Sequence, residues 1–101
     1  MNADFRNTQR VTLQKSVVRY RQEGATLLET DKCIGAGSII TIGAPHYMKL
    51  GNENKLSVPT EIRSGLITET SWLIVGDMNL SLSDQRKIEA AWRETAAESL
   101  G

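Results

Sequence analysis

The sequence predicts a single small α+β domain: an N-terminal helix or hairpin, a mostly antiparallel sheet of about five short strands, and a C-terminal amphipathic helix. Three observations support this fold class. A chain of 101 residues has the size of one domain. Short apolar stretches separated by Gly, Pro and Asn are typical of strands joined by tight turns. Near the C-terminus, apolar residues recur at helical spacing. No repeat or linker divides the chain, so we expect residues 1–101 to fold as one unit.

Residues 8–23 are the ambiguous part of the sequence. Leu13, Val17 and Tyr20 follow the i, i+4, i+7 spacing of one helix face. Gly24 could end such a helix in the left-handed conformation. The alternative is a hairpin, because the β-branched residues of this stretch favour strands and Gly24 could lie in the turn. We prefer the helix and leave the hairpin open.

The predicted strands follow from turn residues that bound short apolar stretches. They span residues 25–30, 38–42, 46–50, 55–58 and 66–75. Pro59 has no backbone N–H, so it should end a strand or lie at a sheet edge. The last strand is the longest of the five. Its apolar end, Trp72-Leu73-Ile74-Val75, leaves neither face polar and is therefore expected at the centre of the sheet.

The C-terminal helix is expected to begin near Ser81, which with Asp84 resembles a capping box. Ile88, Trp92 and Ala96 then form a narrow apolar stripe along one face. Such a stripe packs on the sheet, where Trp92 could meet the strand tryptophan, or it docks on a partner. Since Trp is enriched at interfaces, Ile88 and Trp92 are the candidate partner contacts.

Charge bears on nucleic-acid binding. The formal net charge is zero, so no overall positive field attracts nucleic acid or a membrane surface. Basic residues are nevertheless in excess before Gly24. If this segment binds nucleic acid, the candidate contacts are Arg10, Lys15, Arg19 and Arg21. On the preferred helix these side chains divide between opposite sides, which argues against a helix that grips one groove.

Motifs for catalysis, cofactors or metals are not found. Cys33 is the single cysteine and His46 the single histidine, so neither an intrachain disulfide nor a cysteine zinc site can form. A phosphate-binding glycine loop opens a helix, whereas Gly35-Ala36-Gly37 precedes residues that favour a strand. We therefore predict no catalytic, cofactor-binding or metal-binding residues and regard an enzyme as the less expected class.

The hypotheses about function follow from the absence of these motifs. The N-terminus lacks the apolar run of a signal peptide, and no apolar stretch approaches the ~20 residues of a membrane span, so we expect a cytoplasmic protein that does not bind membranes. The leading hypothesis is a non-enzymatic accessory, adaptor or inhibitor subunit that contacts another protein, or itself as a homodimer. One alternative is a nucleic-acid-binding accessory protein, and another is a small hydrolase whose site is shared between subunits.

Overall fold

Seven strands and one long helix make up the described part of the chain. The computed structural model describes residue 5 and residues 8–100, with the backbone alone at residue 64 and at residues 94–100. The strands are β1 Gln9–Thr12, β2 Val17–Glu23, β3 Thr26–Ile34, β4 Ile39–Ile42, β5 His46–Leu50, β6 Glu53–Ser64 and β7 Ile67–Ile74. A single 3₁₀ turn, Val75–Asp77, precedes helix α1, Leu82–Leu100.

Five of the strands close into a barrel. They follow the order β6-β5-β3-β2-β7, and β7 pairs again with β6. β7 meets β2 through the single pair of Tyr20 and Trp72. β3 and β5 run parallel where Thr26 lies beside Lys49, while the other neighbours are antiparallel. The prediction of a mostly antiparallel sheet of about five strands is therefore wrong. The sheet is mixed and has seven strands, and closure removes the edges that a five-stranded open sheet would expose.

β6 is the longest strand, and it continues through Pro59. β5 pairs with β6 up to Ser57, and β4 pairs with it from Thr60 onward. Pro59 lies between them and accepts a hydrogen bond on its carbonyl from the Gly43 N–H at 2.8 Å. A strand residue directs its nitrogen and its carbonyl to the same side. The missing N–H therefore faces the gap between β5 and β4, and the pairing of Pro59 with Trp72 is undisturbed.

The N-terminal helix preferred for residues 8–23 is also wrong, because this segment forms β1 and β2. Leu13 follows the end of β1, and Val17 and Tyr20 lie three positions apart on β2. Residues at that separation in a strand face opposite sides, so the helical spacing is fortuitous. Gly24 adopts the left-handed conformation with φ 61°, but in the turn between β2 and β3. The hairpin alternative is the one that forms.

Buried apolar residues divide into two clusters on either side of β6 and β7. The barrel cluster consists of Tyr20, Leu27, Met48, Trp72 and Ile74. The helix-side cluster consists of Val11, Leu13, Val17, Ile40, Ile42, Val58, Leu73, Met78, Leu80 and Ile88. Successive side chains of a strand alternate between its faces, so Trp72 and Leu73 belong to different clusters. The same hairpin of β6 and β7 thus forms a wall of both cores.

The C-terminal helix is present as predicted, and its first half closes the helix-side cluster. Ala96 of the predicted stripe lies among the residues whose side chains are outside the description. No helix within the described part of the chain combines the length and the apolar character that crossing a membrane requires.

Candidate functional site

The start of α1 is fastened to the outer edge of β1 by side chains. The Ser81 hydroxyl oxygen accepts a hydrogen bond from the Asp84 N–H at 3.2 Å, which caps the helix. Asp84 does not complete the capping box, since its carboxylate accepts the Thr12 N–H at 2.9 Å. Lys87 lies 3.3 Å from the same carboxylate and donates to the Arg10 carbonyl at 3.0 Å. These groups occupy the polar edge that β1 would otherwise present to solvent.

Farther along α1, one apolar residue enters the core and a second reaches across to β5. Ile88 is 2% exposed and belongs to the helix-side cluster. One turn later, the half-buried Trp92 contacts Tyr47, with 5.3 Å between ring centroids and planes at 85°. Tyr47 is itself 55% exposed and lies opposite Leu56 on β6. The helix therefore spans the molecule from β1 to β5.

A groove of about 400 Å³ lies between α1 and the barrel. Its apolar lining comes from β6, from the segment after β7 and from α1. These residues are Leu56, Val75, Leu80, Ile88 and Trp92. Small-molecule and side-chain sites in proteins are typically concave, mostly apolar and bounded by a few polar groups. The groove has that composition.

Polar residues border the same groove. Gln85 is held in place because its side-chain N–H donates to the Leu80 carbonyl at 2.8 Å. Asn79 lies in the left-handed region with φ 47°, which Asn tolerates better than most residues, and it turns the chain into α1. Glu89 lies three positions before Trp92 on α1. Among the described residues that line the groove, Glu89 supplies the formal charge.

The two candidate partner contacts are thus brought to one groove, but in different roles. Ile88 is buried beneath it, and Trp92 forms part of its wall. Sequence reasoning missed Tyr47 and Leu56. The alternation along β5, in which Tyr47 precedes the buried Met48, could have indicated that Tyr47 faces outward. It could not show that α1 brings Trp92 against it.

Arg19, a candidate nucleic-acid contact, joins β2 to β7 instead of facing solvent. Its Nε donates to the Ser71 hydroxyl at 2.9 Å, and the guanidinium lies 3.5 Å from Glu69. The side chain is 15% exposed. The Thr30 hydroxyl donates to the Arg19 carbonyl at 2.7 Å, at the irregular point of the pairing between β2 and β3. Arg19 therefore stabilises a bulged part of the sheet.

The other three basic candidates lie at separate places. Arg21 is on β2 and lies 3.9 Å from Glu23, with both side chains mostly exposed. Arg10 is on β1 and borders a hollow that also contains Glu61 and Arg63. Lys15 is exposed in the link between β1 and β2. Arg21 lines a second hollow together with Arg19 and Lys32, where Asp31 and Glu69 carry the opposite charge. Nucleic-acid contact by these residues stays a prediction.

Residues considered for catalysis are likewise dispersed. Cys33 is exposed on β3, whereas His46 is on β5 with its ring centroid 6.1 Å from that of Trp72. The glycine loop leads into β4, and the Gly37 N–H donates to the Leu13 carbonyl at 2.8 Å. Within the described residues, no group of three His, Cys, Asp or Glu side chains could hold a metal ion.

Tyr20 of the barrel cluster has a perturbed pKa. Burial raises the pKa of its hydroxyl above the usual 10.0, and the negative charges of Asp77 and Glu29 raise it further. The pKa of Lys55 is also raised, first by its hydrogen bond to Glu53, with 2.9 Å between the two charged groups. Both shifts keep each group in the protonated form that it already has near neutral pH, which indicates a structural role.

The chain matches no protein-family model, no curated protein and no solved structure.

Proposed function

We propose that this is a small non-enzymatic interaction protein that binds another protein through the groove between α1 and the barrel. The observation that carries the proposal is Trp92, which lines the groove and contacts Tyr47 beside it. Two aromatic side chains, one half-buried and one mostly exposed, stand beside an apolar hollow. Aromatic residues at partly exposed positions are typical anchors of protein interfaces.

The groove also has the composition of an interface. Its floor is aliphatic, with Leu56, Val75 and Leu80, while Gln85 and Glu89 stand at its border. Interfaces commonly combine an apolar centre with a polar rim that excludes water from the contact. A volume of about 400 Å³ is at the small end of ligand pockets. It therefore suits one or two side chains of a partner segment, as in recognition of a helix or strand by a groove.

Affinity capture from the native host, read by quantitative mass spectrometry, tests this function. We expect one stoichiometric partner that binds the wild-type protein and is lost in the Trp92→Ala and Tyr47→Ala variants. Leu82→Ala is the matched control, because Leu82 is on the same helix and 63% exposed but does not line the groove. Circular dichroism and thermal melting should show that all four proteins are folded.

The purified pair should then be measured by titration calorimetry, and light scattering should report whether a second copy of the chain is the partner. A stoichiometric partner that binds Trp92→Ala as tightly as wild type would contradict the proposal, because its contact surface would lie elsewhere.

A further inference from the structure

We propose that the groove recognises a lysine or arginine side chain placed next to a bulky aliphatic residue in the partner. This inference rests on the proposed function and names the chemistry of the partner. Three features of the groove carry it: the aromatic pair, the carboxylate of Glu89 and the aliphatic floor.

The aromatic pair supplies ring faces for a cation. Trp92 and Tyr47 meet edge to face, so the two ring planes are nearly perpendicular and form a corner. Cations are attracted to the electron-rich faces of aromatic rings, most strongly to Trp. Tyr47 is 55% exposed, so part of this aromatic pair is open to a partner side chain.

Glu89 supplies the opposite charge at the same place. It precedes Trp92 by three positions on α1, and residues at this spacing are neighbours on a helix surface. No lysine or arginine is among the described residues that line the groove. A basic group from a partner would therefore find both an aromatic corner and a carboxylate acceptor, which together give a charge-assisted contact.

Charged residues next to the lining have to be considered as well. Arg93 is exposed and lies one turn after Glu89 on α1, but it is outside the lining of the groove. Within the lining, Glu89 is therefore the charge that a partner side chain meets, and a basic partner segment is attracted to it.

The aliphatic floor determines which residue the partner should carry next to its lysine or arginine. Leu56, Val75 and Leu80 offer no hydrogen-bonding side chain, so this part suits the side chain of a Leu, Ile, Met or Val. The methylene stem of a lysine or arginine can lie along such a surface while its charged end stays at the rim. The preferred segment therefore has a basic and a bulky aliphatic residue close together.

A library of short random peptides displayed on phage, selected against the full chain, is the probe. We expect the enriched peptides to share a Lys or Arg beside a bulky aliphatic residue. Glu89→Gln should weaken their binding about fivefold, the size of effect expected for losing one exposed cation contact. Glu89→Lys should shift the selected peptides away from basic residues. Glu23→Lys, which reverses an exposed charge on β2 away from the groove, should leave the selection unchanged.

Failure of this inference differs from failure of the proposed function. Enriched peptides that are apolar without basic residues, yet lose binding to Trp92→Ala, would overturn the cation preference and leave the groove as a protein-binding site. Peptides that bind Trp92→Ala as well as wild type, or no enrichment at all, would overturn both.

Discussion

The barrel cluster and the helix-side cluster are enclosed in different ways. Around the barrel cluster, neighbouring strands form a closed ring of backbone pairing that ends at Tyr20 and Trp72. The helix-side cluster is bounded by β1, β4, the β6–β7 hairpin and α1, and α1 is fastened to β1 by Asp84 and Lys87. The barrel cluster is thus enclosed by backbone hydrogen bonds between strands, whereas the helix-side cluster is covered by a helix that side-chain contacts hold in place. The groove lies beside α1, and two of its lining residues, Leu80 and Ile88, belong to the helix-side cluster.

The two tryptophans also differ in burial and in their contacts. Trp72 is 1% exposed and its indole N–H donates to the Gln22 side chain at 3.0 Å. Trp92 is half-buried and its ring contact is with Tyr47. The expectation that the tryptophans could pack on each other is wrong, because they lie in separate parts of the structure. Trp72 is part of the barrel cluster, and Trp92 is the residue that we propose for recognition.

Replacement of Trp72 should have the largest effect on stability. Trp72→Ala should lower the free energy of unfolding by about 3–5 kcal/mol, the range for removing a large aromatic side chain from a packed core. Denaturant unfolding measures this loss, and Trp72→Phe should cost less because most of the ring is retained. A loss below about 1 kcal/mol for Trp72→Ala would show that Trp72 is not a packed core residue, and the contrast with Trp92 would be lost.

Replacement of Asp84 tests the side-chain contact that holds α1 against β1. Asp84→Ala should cost about 1–3 kcal/mol, because the Thr12 N–H loses a charged acceptor and α1 loses an acidic residue in its first turn. Asp84→Asn keeps an acceptor and should cost less. Amide hydrogen exchange should show faster exchange at Thr12 in the Ala variant and little change at Leu27 in the barrel. Equal acceleration at both residues would mean that the two regions open together.

The pH dependence of stability reports on Tyr20 of the barrel cluster. Because the pKa of Tyr20 is raised on folding, the folded state holds the proton more tightly. The associated stability is fully present below pH 10.0, the usual tyrosine value, and is lost as pH rises through the folded pKa. Tyr20→Phe should therefore flatten the alkaline decline of the denaturant midpoint.

Lys55→Gln is the companion variant, since the raised pKa of Lys55 acts in the same direction at a solvent-exposed ion pair. If the alkaline decline stays the same in Tyr20→Phe and vanishes in Lys55→Gln, the buried hydroxyl is not its source.

The smallest effect on stability is expected at the groove wall. Trp92→Ala should cost about 1 kcal/mol, in the range of an aromatic pair. A double-mutant cycle with Tyr47→Ala should give a coupling of about 0.5–1.5 kcal/mol. Denaturant unfolding of the four proteins measures it. A cost as large as that of Trp72→Ala would show that Trp92 is a core residue and would weaken its assignment to recognition.

Local features of the fold could be predicted from the sequence. The strand His46–Leu50 was predicted with the bounds that it has, because its turn residues lie directly beside it in the chain. The helix after Ser81 was also identified, since its cap and its apolar stripe are local signals. Trp92 on this helix, a candidate partner contact from the sequence, is one of the residues that line the groove.

Long-range features could not be predicted in the same way. Closure of the barrel depends on Tyr20 meeting Trp72, which no local pattern specifies. The gap in pairing that accommodates Pro59 arises because two different strands, β5 and β4, share one edge of β6. The second side of the groove depends on the pairing of Tyr47 with Leu56 and on the path of α1. These relations are properties of the folded chain, whereas periodicity records only neighbours in sequence.

The bond between Thr12 and Asp84 joins residues 72 positions apart, and this separation matters while the chain is being made. At a synthesis rate of about 5–20 residues per second, roughly 4 to 14 seconds pass between the addition of these two residues. During that interval the outer edge of β1 has no α1 to cover it, and an uncovered strand edge can pair with another chain. The outer edge of β1 is therefore covered only after α1 has been made.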